Sequence, residues 1–188
     1  MRWAGALAAG MARLGFTPNG VSVLGLFFAG AGAGAMLLGA WWIAAACVQS
    51  RLLCNMLDGL IAVEQGKGDR LGGFFNEVPD RLEDLLLLLA AGYAAGGEWG
   101  AELGAAAAML ALGTAYLRQT GGAMGLAQDF CGPLAKPQRM FVLTLALVAA
   151  GSTADPQRSL GIGLGVIVVG TAVTVLRRTM RLVAALRA

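Results

Sequence analysis

A chain of 188 residues that is 57% hydrophobic and only 13% charged lacks the water-facing surface of a soluble domain, in which about a quarter of the residues carry charge. The composition points to one compact polytopic membrane domain over residues 1–188 and leaves no room for a soluble second one. The net charge of +3 and the absence of histidine exclude two further classes: the net charge comes mostly from arginines at helix ends, which suits topology and lipid headgroups and not nucleic acid, and no His triad, His metal site or His base exists.

Residues 1–16 place Trp3, Leu7, Met11 and Leu14 at helical spacing between Arg2 and Arg13. The segment is too short to cross a bilayer and predicts an amphipathic helix lying on the membrane surface. Thr17-Pro18-Asn19 then ends it and starts a new helix. Six spans are expected at 20–38, 41–62, 73–95, 99–118, 138–153 and 159–176, followed by a basic tail over 177–188. Gly39-Ala40-Trp41-Trp42 makes a tight interfacial connector. Lys67, Arg70, Arg118, Lys136, Arg139 and the tail arginines fall on one side of this topology, and only Arg158 on the other. The bias places both termini in the cytoplasm. Gln119 to Gln138, rich in glycine, reads as a long loop on that side, and loops of this length in compact proteins are functional or disordered. Cys47, Cys54 and Cys131 have no paired spacing and read as buried thiols.

The chain gathers its acidic and amide side chains between Asn55 and Asp84. Asn55, Asp58 and Ala62 share one face of the second span, and Asn76 and Asp80 share a face of the third, with Glu77 and Asp84 beside it. The loop between these spans is short, so the two helices are expected to lie antiparallel as neighbours with their oxygen-bearing faces convergent. Oxygen donors without His or Cys form the hard-cation set, suited to magnesium, manganese or calcium. Small residues at Gly59 and Gly72 leave space for a diphosphate to approach the backbone. Such a site at a membrane surface points to phosphoryl chemistry on a lipid. Glu64, Asp69 and Glu83 are expected merely to face water, and Gly73 and Gly92 to serve helix packing. Arg118, Lys136 and Arg139 have two readings: a grip on a phosphorylated acceptor, or positive-inside topology with headgroup contacts. A small transporter or channel is a weaker reading, since the chain shows no internal repeat.

The stretch Asn55-x-x-Asp58-Gly59-x-x-Ala62-Val63, eight residues, then Gly72-x-x-x-Asn76-x-x-x-Asp80 resembles the signature of the CDP-alcohol phosphotransferases, D-x-x-D-G-x-x-A-R followed by G-x-x-x-D-x-x-x-D. Every spacing is kept. The Thr17–Ser22 opener and the six spans extend the resemblance over nearly the whole chain. Asn55 and Asn76 replace the first and third acids and Val63 the arginine, which resembles a divergent bacterial branch of the family. Asparagine keeps a ligating oxygen and loses its charge.

The resemblance implies an integral membrane enzyme of phospholipid biosynthesis. It would transfer a phosphatidyl group from a CDP-alcohol such as CDP-diacylglycerol to an alcohol and release CMP. It further implies that Asn55, Asp58, Asn76 and Asp80 hold Mg2+ or Mn2+, that Asp80 is the catalytic base, and that Gly59, Ala62 and Gly72 pack against the cytidine nucleotide. The implied setting is the bacterial inner membrane, with a cytoplasmic active site and pairing as a homodimer. Loss of two acids leaves an alternative, a weakened member that binds CDP-lipid as a regulatory or scaffolding partner.

Overall fold

The computed structural model describes residues 2–64 and 70–187, except for the side chains of residues 2, 3, 64, 70–73, 75 and 76. Seven helices and no strands occur among the described residues: α1 (Arg2–Arg13), α2 (Pro18–Leu37), α3 (Trp41–Glu64), α4 (Arg70–Ala95), α5 (Gly100–Ala123), α6 (Lys136–Ser152) and α7 (Pro156–Arg187). Lys67 and Asp69 lie outside the described residues.

The start of α2 follows from local chemistry. Pro18 occupies the first turn, where its missing N–H costs nothing, and the Thr17 hydroxyl accepts from the Gly20 N–H at 3.2 Å. Backbone approach then governs the packing. A Cβ on Gly92 of α4 would lie 2.7 Å from the Gly100 carbonyl oxygen and from Gly104 Cα of α5, so glycine is required at this closest approach of the two helices, as expected for Gly92. The core is mostly alanine with a few leucines, among them Ala29, Ala44, Leu87, Ala91, Ala107, Leu143 and Leu164.

Polarity runs opposite to that of a soluble protein. Arg51 and Glu83 have no exposed surface, whereas Phe27 is 67% exposed and Tyr93 70%. Charges inside and large apolar groups outside fit a chain bathed in lipid. Among the described residues, Pro18–Leu37, Trp41–Val63, Gly100–Ala123 and Pro156–Arg187 are long and apolar enough to cross a membrane. The remaining two of the six expected spans fall short for separate reasons. Helix α4 carries Glu77, Asp80, Arg81, Glu83 and Asp84, and α6 has only 17 residues.

Several expectations are corrected. Helix α2 packs along both α3 and α4, which touch one another only over a short stretch; the two site helices are bridged by polar side chains rather than broadly packed. In α1 the inward face carries Ala4 and Ala8, with Ala8 against Val21, Cys54, Leu57 and Ile61, while Leu7 points outward. The long loop shrinks to 124–135, because α5 continues to Ala123 and Gly125, at φ 80°, turns the chain there. The basic tail is helical, α7 running on to Arg187. Only Cys54 of the three thiols is fully buried.

Candidate active site

The N-terminal turns of α2, the late turns of α3 and α5, the middle of α4, the start of α6 and the second half of α7 meet at one end of the bundle. On α3, the helical repeat puts Arg51, Asn55 and Asp58 along one side. Arg51 reaches α4. Its Nε donates to Glu83 Oε2 at 2.5 Å and its Nη2 to Asp84 Oδ1 at 2.7 Å and to the Asp80 carbonyl at 3.3 Å. Asp84 also accepts from Arg139 Nη2 of α6 at 3.0 Å, and Arg139 Nη1 donates to Thr114 Oγ1 and the Leu134 carbonyl. The result is a buried chain of alternating charge, Glu83–Arg51–Asp84–Arg139, that ties α3, α4 and α6 together.

Asn55 stands one turn further along α3. Its amide Nδ2 donates to Asp80 Oδ1 and, at 3.3 Å, to Glu83 Oε2. Gly25 of α2 makes the space: a Cβ there would come 2.8 Å from Glu83 Oε1 and 3.3 Å from Asn55 Oδ1. Asp58 is buried, and its Oδ2 accepts from the Ser22 hydroxyl of α2 at 2.7 Å. Gly59 is exposed with nothing within 4 Å of where a Cβ would sit, and Ala62 is half-buried on the same helix. The backbones of Asn76 and Gly72 belong to α4, and their side chains lie outside the described residues.

Asp80 is shared between this cluster and a cavity of about 220 Å³. The cavity wall holds Arg81, Arg118, Lys136, Arg139 and Arg178, with Asp80 as its carboxylate and Phe130 and Thr114 between them. The three predicted acceptor-side cations are thus brought together around one space. Their freedom differs. Arg118 Nη2 contacts both oxygens of Glu77, at 2.5 and 2.7 Å, and its guanidinium lies 5.1 Å from the Phe130 ring centre. Arg139 is 1% exposed and bound to Asp84. Lys136 pairs with Asp80 Oδ1. Arg178, expected in an exposed tail, turns inward, with Nε on the Cys131 carbonyl at 2.9 Å and Nη1 on the Thr114 carbonyl at 2.8 Å. Gly132, at φ 128°, lets the loop lie against Thr174, where a Cβ would meet Oγ1 at 2.7 Å.

The donors fit a hard divalent cation. Asp58 Oδ1 and Glu83 Oε1 are buried with no hydrogen-bond partner among the described residues, which is costly unless something electropositive faces them. Among the described residues no group of three His, Cys, Asp or Glu side chains is arranged to hold a metal ion, so a cation here would draw on amide oxygen as well. Asp84 and Glu77, which the sequence places beside the Asn76 and Asp80 face, are committed to Arg51 with Arg139, and to Arg81 with Arg118. Glu83, expected to face water, is buried in the network. Arg51 went unremarked in the sequence. The signal was there, since a lone arginine in the middle of an apolar span requires a carboxylate nearby.

Comparison with known proteins gives consistent relatives. The phosphatidylinositol phosphate synthase of Mycolicibacterium smegmatis is 31% identical over 181 residues, which is 88% of this chain and 77% of that protein. The enzyme of the same name from Mycobacterium marinum is 37% identical over 79 residues, 42% of this chain and 34% of the relative. The crystal structure of Mycobacterium tuberculosis phosphatidylinositol phosphate synthase with CDP-DAG bound superposes with a TM-score of 0.83 at 23% identity, covering 97% of this chain and 94% of that one. Its complex with manganese and citrate gives a TM-score of 0.83 at 24% identity, over 95% and 88% of the two chains. No family model matches the chain.

Proposed function

The chain belongs to the CDP-alcohol phosphotransferase family, and we propose that it transfers the phosphatidyl group of CDP-diacylglycerol to a phosphorylated alcohol, with release of CMP. One observation carries this reading: Asp80 touches both the Asn55 cluster and the cation-walled cavity. A base in that position reaches a hydroxyl held in the cavity while the CDP-lipid's diphosphate sits over the cluster. The M. smegmatis relative's name indicates an inositol phosphate as acceptor. The cavity chemistry supports that class, because Arg118, Lys136 and Arg139 are suited to a phosphate group.

Asp58 and Asp80, with Asn55 and Asn76, would hold Mg2+ or Mn2+, in keeping with the manganese of the M. tuberculosis complex. When bound, the cation neutralises the diphosphate and the departing CMP. The protein's own part is positional. Asp80 accepts the proton of the acceptor hydroxyl. Gly59, Ala62 and Gly72 leave backbone open to the nucleotide, and Arg118, Lys136 and Arg139 fix the acceptor's phosphate. Buried Arg51 keeps α3 and α4 in register beneath these groups.

The same reading has α2–α7 all crossing a bacterial inner membrane as one domain. Both termini and the site then face the cytoplasm, where CTP-derived substrates are made, and the arginine bias supports this orientation. A homodimer completes it, supported by family resemblance and by the small residues of the spans. The test uses protein purified in detergent with CDP-diacylglycerol, Mg2+ or Mn2+, and a panel including inositol phosphate, glycerol 3-phosphate and unphosphorylated inositol, with CMP followed. Faster CMP release with a phosphorylated acceptor is expected. If water is the sole acceptor, the synthase reading fails; if no CMP appears, the chain binds CDP-lipid without turning it over.

A further inference from the structure

A second cavity, of about 380 Å³, adjoins the acceptor-side one and has no part in the proposed reaction. The last turns of α5, the start of the 124–135 loop and the end of α7 form its walls. Leu117, Leu126 and Leu182 supply an apolar side, and Arg118, Arg178 and Arg181 a cationic one. Arg118 and Arg178 also line the smaller cavity, so the two spaces share a wall of guanidinium groups.

The charges around this larger cavity do not cancel. Arg181 Nε meets Asp129 Oδ2 at 3.0 Å, and Arg118 shares Glu77 with Arg81. Arg178 is only 6% exposed, and its Nε and Nη1 go to the Cys131 and Thr114 carbonyls, which carry no charge. Among the described residues Arg178 has no ion-pair partner. Burying a charge without a counter-ion is costly, so the cavity is short of one anion. Arg181, whose side chain is 67% exposed, brings a further set of donors that an anion's oxygens can share.

The cavity also lies at the depth of lipid headgroups. Helix α7 has 32 residues, which is about 48 Å of helix against a hydrocarbon core of about 30 Å. Its apolar run ends at Leu176, and Arg177, Arg178 and Arg181 follow at once. Leu176, Met180 and Val183 recur on one face there and are exposed, as on a helix that stays against lipid at the interface. A soluble anion would leave the leucine side of the cavity in contact with water. An amphipathic one covers both sides.

From these features we infer that the cavity between α5, the 124–135 loop and α7 binds an anionic phospholipid, at a site distinct from the two substrate spaces of the proposed reaction. The phosphodiester oxygens accept from Arg178 and Arg181, and an acyl chain runs over Leu117, Leu126 and Leu182. Arginines at a membrane face attract anionic lipid without any site. What marks this place is a buried guanidinium with no counter-ion, lining a cavity whose other side is apolar.

The experiment titrates dioleoylphosphatidylglycerol into protein purified in an uncharged detergent and follows the melting temperature, with no metal, CDP-lipid or acceptor present. Dioleoylphosphatidylcholine, inorganic phosphate and inositol phosphate are titrated in parallel. Phosphatidylglycerol is expected to raise the melting temperature saturably, and phosphatidylcholine to leave it unchanged. Arg181→Gln should raise the half-saturating lipid concentration by about fivefold. Ala185→Trp fills the cavity and keeps every charge, and it should abolish the response. Arg158→Gln, at the other end of α7, should respond as the wild type does. If one cavity variant fails to fold, the other decides. Wild-type half-saturation in a folded cavity variant overturns the site, as does an equal response to phosphatidylcholine. A response weakened equally by Arg158→Gln reports surface charge in general and overturns it too. If inorganic phosphate or inositol phosphate gives the same Arg181-dependent shift, the cavity takes a soluble anion and the lipid assignment is wrong.

Discussion

Arg51→Met tests the buried network most directly. Methionine keeps the length and apolar stem of the arginine, so packing along α3 is conserved and the charge alone is removed. Asp84 loses its 2.7 Å bond to Arg51 and keeps Arg139 at 3.0 Å. Glu83 is fully buried and loses the guanidinium at 2.5 Å, retaining among the described residues the 3.3 Å bond from Asn55. One carboxylate is therefore left buried without a cation, a change that costs about 3–5 kcal/mol. For a chain of this size that corresponds to a fall in melting temperature of roughly 10 °C. The assay follows the monodisperse size-exclusion peak in detergent after heating. Arg51→Met/Glu83→Gln removes the orphaned charge as well and should regain at least about half of the loss. If Arg51→Met melts within about 2 °C of the wild type, the network does not hold α3 to α4. A double variant no better than the single one would show that Glu83 is not the orphan.

Gly59→Ala meets nothing within 4 Å and improves helix propensity, so the melting temperature should hold or rise slightly, while the KM for CDP-diacylglycerol rises if the nucleotide packs there; an unchanged KM removes Gly59 from the nucleotide site. Gly92→Ala puts a methyl 2.7 Å from backbone atoms of α5 and should cost about 1–3 kcal/mol in the same melting assay. Asn55→Asp deletes the amide donor between Asp80 and Glu83 and sets a third carboxylate there. The metal-free protein should melt earlier by about 1–3 kcal/mol, and Mn2+ should raise its melting temperature by more than it raises the wild type's. Equal Mn2+ shifts would mean that position 55 does not meet the cation.

Much of the frame was legible because it depends on local composition. Apolar runs mark the helices, Thr17-Pro18 marks a start, and the spacing of Asn55 and Asp80 marks two side chains that touch. What escaped depends on partners distant in the chain. Arginines at 177 and 178 look like the water-facing end of a span, yet Arg178 finds the Cys131 and Thr114 carbonyls, so its burial is compensated and α7 continues as helix. Glu83 looks like a water-facing carboxylate only while its partners are unknown; mid-way along α4 it lies opposite Gly25 and Arg51, and the guanidinium of Arg51 compensates its burial.

That arrangement gives Asn55 a physical role of its own. Asp80 and Glu83 both approach one amide nitrogen, and two carboxylates share it because it donates two hydrogens and carries no charge. An aspartate at 55 would need a cation between the three groups merely to hold the helices together. With asparagine, and with Arg51 neutralising from below, Asp80 and Glu83 are held by hydrogen bonds and an ion pair from the protein itself. The two motif acids replaced by amides therefore need not signal decay. At position 55, at least, the amide is the group that the surrounding charges require.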